Sequence, residues 1–145
     1  MRSIAFALST SVALAALPAL ADEVWSSAAG EIIYETALDS GMSILSMPAD
    51  ILSLGTTTGA RAYIYVPYFD VEPGTRGYHE AFWIVEGAEY CDMALAGPDG
   101  RSSRAWGQAF LMFDKPDFPT PVTVLFGYCT YDPYLPVRAE PVLGD

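Results

Sequence analysis

The chain of 145 residues contains no asparagine, one lysine (Lys115), one histidine (His79) and two cysteines. Each shortage removes a class of function. Without asparagine there is no N-glycosylation sequon. A lone lysine and scattered arginines build no basic patch that could displace counterions from phosphate, so neither a nucleic-acid partner nor an anionic lipid surface is expected. One histidine and two cysteines without a Cys-x-x-Cys spacing fall short of the ligand count of a zinc or copper site, and no cofactor is expected. No serine lies in a Gly-x-Ser-x-Gly elbow. After residue 20 no apolar run approaches the roughly twenty residues that span a bilayer as a helix.

The N-terminus is where the apolar residues do run together. Arg2 precedes a stretch from Ile4 to Leu20 that closes on Ala19-Leu20-Ala21, the small-x-small pattern of a cleavable export signal. Ser9, Thr10, Ser11 and Pro18 make it too polar for a membrane span. The expected division is a signal peptide over 1–21 and a single exported domain over 22–145. The compartment is then periplasmic or secreted, in a bacterial envelope. Lys and Arg number 7 against 18 Asp and Glu, for a net charge of −11. Such charge serves solubility and repulsion between copies, or a cationic partner.

Past residue 21, short apolar alternations separated by turn residues indicate an all-β fold, a small antiparallel β-sandwich or barrel-like domain of about seven strands. Glu31–Ala37 and Met42–Met47 read as a hairpin across Asp39-Ser40-Gly41. Ala49–Leu54 reads as a short helical turn or a further strand. Arg61–Val66 puts Ala62, Ile64 and Val66 on one side and Arg61, Tyr63 and Tyr65 on the other. Tyr78–Glu86 is apolar on both sides, as for a strand covered on both faces. Cys91–Ala96 and Ala105–Phe113 are expected to pair as a hairpin across Gly97-Pro98-Asp99-Gly100. Asp114–Pro121 is a proline-rich loop, Val122–Tyr131 a last long strand, and Asp132–Asp145 a proline-punctuated tail.

An even pair of cysteines in an oxidising compartment is expected to bond, Cys91 to Cys129, both pointing inward from strands. Among groups that could carry chemistry, His79 is followed by Glu80, but neighbours on a strand face opposite ways and cannot form an acid–base pair. Glu80 and Glu86 share a face, and Asp70 and Glu72 lie in a nearby loop, so a carboxylate hydrolase is one alternative. The loops at Asp70–Glu72 and Asp114–Asp117 offer oxygen ligands without an EF-hand pattern. Met42, Met47, Met93 and Met112 alternate as core residues do.

The candidate binding surface is aromatic: Arg61, Tyr63 and Tyr65 on one strand face, with Tyr68 in the loop beyond. The competing explanation is that these rings fill a second buried face. The function expected is a non-enzymatic module that binds an envelope protein, peptide or glycan. The alternatives are a small envelope hydrolase using carboxylates or His79, and an assembly partner that pairs through a sheet edge.

Overall fold

Alternation at period two dominates this chain, and its physical outcome is a sheet with one face inside. The computed structural model describes residues 23–70, 74 and 76–144. The expected signal segment lies outside these residues, as does Glu72. The strands are β1 (Val24–Ser27), β2 (Gly30–Ala37), β3 (Met42–Pro48), β4 (Arg61–Pro67), β5 (Tyr78–Val85), β6 (Leu95–Ala96), β7 (Ser102–Ser103), β8 (Ala105–Phe113), β9 (Val122–Phe126) and β10 (Leu135–Pro141). Eight of them form a closed antiparallel barrel in the order β1-β2-β3-β4-β5-β8-β9-β10, with β10 returning to β1. β6 and β7 form a separate two-stranded ribbon within the excursion that joins β5 to β8. The all-β class is as expected, and the architecture is the barrel rather than the sandwich.

Along β8, burial alternates without a break: Ala105, Gly107, Ala109, Leu111 and Phe113 are buried, and the residues between them are not. The lumen is packed with large side chains set against small ones. Trp25, Trp83, Phe126 and Ile64 are fully buried, as are Ala62, Ala109 and Ala139. An eight-stranded barrel is just wide enough to be filled in this way. Trp83 pairs across the sheet with Gly107, and its indole Nε1 donates 2.8 Å to the carbonyl of Gly127. Trp25 donates likewise, 2.8 Å to the carbonyl of Thr120. Apolar residues inside and charged residues such as Glu31, Glu80, Arg138 and Glu140 exposed on the wall are the inverse of a membrane-spanning barrel.

One part of the outer wall is also apolar. Ile44, Tyr65 and Ile84 are buried there, with Tyr63, Phe82, Leu95 and Trp106 packed against them. The β5–β8 excursion, residues 86–104, brings Leu95 onto this wall, which accounts for a β5 that is apolar on both sides.

The ends of the barrel differ. One carries the β2–β3, β4–β5 and β8–β9 connections and the starts and ends of the described chain; we call it the termini end. The other, the disulfide end, carries the β1–β2, β3–β4 and β9–β10 connections and the β5–β8 excursion.

Four strand expectations need correction. The segment from Cys91 is not a strand until Leu95, and β6 pairs with β7, not with β8. The Gly97–Gly100 turn does form, but both flanks of β8 are already occupied by β5 and β9. The last long strand stops at Phe126, because Gly127 turns the chain: its N–H donates 2.9 Å to Gln108, and Cys129 takes a φ of 53°. The tail contains β10. Its prolines fit because Pro136 lies opposite β9 only and Pro141 opposite β1 only, so each falls where one neighbouring strand is missing. β1 was also unforeseen; Trp25 is its one fully buried side chain. Of the two readings of Ala49–Leu54, the helical turn is found, as a 3-10 turn over Ala49–Leu52 closed by Ser53 at a φ of 52°.

Candidate binding surface

Of the four residues expected to form a surface, Tyr63 and Tyr65 share one apolar cluster on the outer wall, while Arg61 and Tyr68 lie far apart. Arg61 opens β4 and Tyr68 follows its end, about 23 Å away at strand rise. Arg61 Nε donates 2.9 Å to Ser46 Oγ, and the Ser46 hydroxyl donates to Glu35. The Tyr63 ring is capped by the Arg101 guanidinium at 3.6 Å. Tyr65 is fully buried, stacked on Phe82 at 4.8 Å, and donates 2.9 Å to Asp99 Oδ1. Burial and the bond to Asp99 push the Tyr65 hydroxyl far above its ordinary value. Burial alone would raise Asp99, but the Tyr65 hydrogen bond and the Arg101 backbone and charge outweigh it and hold the carboxyl low. Tyr68 alone is broadly exposed, with a φ of 56°, in the β4–β5 connection at the termini end.

The termini end also holds a polar network. Tyr34 donates to Asp70, and Ser43 Oγ donates 3.2 Å to the same carboxylate. Arg76 spans it, with Nη1 2.9 Å from Asp70, Nη2 2.6 Å from Glu23, and its guanidinium 3.8 Å over the Phe69 ring. Burial, then the Asp70 bond, pushes the Tyr34 hydroxyl up to about 12. Asp70 is lowered despite burial, by hydrogen bonds from Tyr34 and Arg76. The ring of His79 packs on Phe69 at 5.3 Å and Phe113 at 6.3 Å. Asp70 is thus committed to an ion pair and a tyrosine.

The carboxylate alternative loses its geometry. Glu80 lies on the outer face of β5, and Glu86 lies in the turn just past that strand, paired with Arg101 at 3.5 Å. Six residues apart, they are about 20 Å from each other at strand rise, whereas glycosidase pairs are within about 10 Å. Asp114 is paired with Arg138 at 2.6 Å. Among the described residues there is no group of three or more His, Cys, Asp or Glu that could hold a metal. The methionines divide: Met47 is core, but Met93 is 72% and Met112 37% exposed.

A different set of aromatics converges at the disulfide end. Cys91 and Cys129 are bonded, with Cα atoms 5.6 Å apart, and neither lies in a strand. The bond ties the β5–β8 excursion to the β9–β10 turn. Beside the bond sits Tyr128, whose hydroxyl donates 2.7 Å to the carbonyl of Leu52 and whose ring meets Trp83 edge-on at 5.8 Å. Burial, and then the neighbouring Tyr134 and Tyr90, raise the Tyr128 pKa, so it stays a protonated donor. Two exposed rings pack on Tyr128: Tyr90 at 5.1 Å and Tyr134 at 6.0 Å. Tyr131 follows in the same turn, its N–H 3.0 Å from the Tyr128 carbonyl.

Tyr90, Tyr131 and Tyr134 are 59%, 71% and 66% exposed. Together they present on the order of 400 Å² of aromatic surface, comparable with the largest apolar patches of monomers, which are often functional. The patch is held rigidly by the disulfide, the Tyr128–Leu52 bond, and the 2.7 Å bond from the Cys91 N–H to Arg104. Sequence reading overlooked these tyrosines, although a signal was there: a tyrosine directly precedes each cysteine, and two more follow Cys129 within five residues.

Fold and surface together define a closed up-and-down barrel with a filled lumen and one disulfide-pinned aromatic end. No family model, curated protein or solved structure matches the chain.

Proposed function

We propose that this chain is a non-enzymatic binding module of an oxidising compartment outside the cytoplasm, periplasmic or secreted, that takes a protein, peptide or glycan partner on its tyrosine surface. The observation that carries this reading is the placement of three broadly exposed tyrosines around a buried fourth, on loops pinned by the Cys91–Cys129 bond. Exposed aromatics on a rigid base suit recognition, since little side-chain entropy is lost on contact. The packed lumen favours an external ligand over one held inside. Against a hydrolase stand the separation of Glu80 from Glu86 and the engagement of Asp70 by Arg76. Against strand addition stands closure, because the barrel has no free edge and the β6–β7 ribbon offers edges of only two residues.

The test is an intact native mass spectrum of protein recovered from an oxidising export compartment. A chain starting at Asp22, lighter by two hydrogens until reduced, with a co-purifying mass lost on Tyr131→Ala/Tyr134→Ala substitution, is expected. A full-length chain with free thiols would overturn the compartment. A co-purifying mass indifferent to the tyrosines would overturn the surface.

A further inference from the structure

The tyrosine end has a chemistry more specific than apolarity. Its flanking residues are acidic: Glu89 and Asp92 on either side of Tyr90 and Cys91, and Asp132 next to Tyr131, all exposed. The ion pairs of the described residues take up Glu23, Asp70, Glu86, Asp99, Asp114 and Glu140, and none of these three. The neighbouring basic residue, Arg104, directs its Nε to the Cys91 carbonyl at 3.0 Å. Tyrosine faces carry the negative part of the ring quadrupole and attract ammonium or guanidinium groups. This chain already uses that contact twice internally, with Arg101 over Tyr63 at 3.6 Å and Arg76 over Phe69 at 3.8 Å. At the disulfide end the rings are present, and the two cation–ring contacts found among the described residues lie elsewhere, on Phe69 and Tyr63.

Resting on the proposed binding role, we infer that the partner of this surface is a basic protein segment, one of whose arginine or lysine side chains stacks among Tyr90, Tyr131 and Tyr134 while neighbouring cations meet Glu89, Asp92 and Asp132. The overall charge of −11 steers such a partner towards the chain and holds other copies of the chain away. Arginine fits better than lysine, because its planar, weakly hydrated guanidinium stacks on rings as well as pairing with carboxylates.

The experiment is a calorimetric titration of the oxidised protein with three probes: a short Arg-Gly repeat peptide, a Glu-Gly peptide of the same length, and a neutral chito-oligosaccharide. Each is run on the parent, on Tyr131→Ala/Tyr134→Ala, and on Asp92→Asn/Asp132→Asn. The Arg-Gly peptide is expected to bind, to weaken about tenfold or more without the tyrosines, as truncating aromatic anchors does, and to weaken severalfold in the Asn variant and at about 0.5 M salt. Arg-Gly binding indifferent to the tyrosines would reduce the effect to bulk charge and overturn the inference. Tyrosine-dependent binding of the saccharide or the Glu-Gly peptide in its place would overturn the basic partner and leave the binding surface standing. Absence of binding by all three would overturn this inference and count against the surface itself.

Discussion

Gly107→Ala is the sharpest test of how the disulfide end is built. Gly107 lies on β8 opposite Trp83, where the chain at Gly127 crosses over it. A Cβ there would sit 1.9 Å from the Gly127 carbonyl oxygen and 2.8 Å from Trp83 Nε1. The first obstacle is backbone, so no rotamer change relieves it; the Gly127 corner must lift or β8 must bend. Lifting the corner breaks the 2.8 Å Trp83–Gly127 hydrogen bond and leaves a buried donor unmatched. Overpacking costs about 2 kcal/mol and the lost bond about 2 kcal/mol more. A total of about 4 kcal/mol is a large share of the roughly 5–15 kcal/mol that holds a domain together. It corresponds to a midpoint about 15 °C lower at this size. Thermal and urea unfolding followed by tryptophan fluorescence would read it, with Gly144→Ala as the neutral control, since nothing lies within 4 Å of a Cβ there. A Gly107→Ala variant within about 1 kcal/mol of the parent would refute the close crossing and with it the rigid base under Tyr128.

Tyr65→Ala should cost about 3–5 kcal/mol, as for a large buried ring, whereas a change under 1 kcal/mol in urea unfolding would return Tyr65 to the surface. Replacing both cysteines by serine opens a link across 38 residues. Loop-closure entropy puts the loss at about 4 kcal/mol, and amide exchange should rise first around Tyr90 and Tyr131; unchanged exchange there would show that the bond does not hold the patch. Asp70 and Asp99 are both held below the ordinary 3.8, so their contribution is present above that pH and is lost as pH falls below it through their folded values. Asp70→Asn and Asp99→Asn should therefore flatten the acid limb of stability against pH, and a parent curve with no acid limb below 3.8 would contradict both pairings.

Much of the barrel was legible because alternation is a local signal. The β2–β3 hairpin, β4 and the doubly apolar β5 all announce themselves by period and by their turns. What escaped depends on partners far away in sequence. β1 is four residues long, has one fully buried large side chain, and exists because β10 and β2 flank it. β10 hides behind Pro136 and Pro141, whose tolerance follows only from where its neighbours end. The Cys91 segment alternates like a strand, yet closure of β8 between β5 and β9 leaves it no partner in the barrel. The disulfide pairing was readable from cysteine count alone, and its setting in loops was not. The aromatic surface was sought at Arg61, Tyr63, Tyr65 and Tyr68 because strand parity separates faces but cannot say which face a later excursion covers. Residues 86–104 bring Leu95 and Asp99 onto Tyr65 and Arg101 onto Tyr63. The exposed rings are instead those next to the cysteines, in turns that carry no periodic signal.

Central to the proposed role is that the exposed tyrosines bind a partner while contributing little to the fold. The direct measurement screens the oxidised parent and Tyr131→Ala/Tyr134→Ala against an immobilised array of peptides and glycans, beside urea unfolding of both proteins. Unfolding free energies within about 0.5 kcal/mol of each other, as for surface substitutions, with array binding by the parent alone, are predicted. Equal binding by both proteins, or a variant that has lost several kcal/mol of stability, would contradict the account.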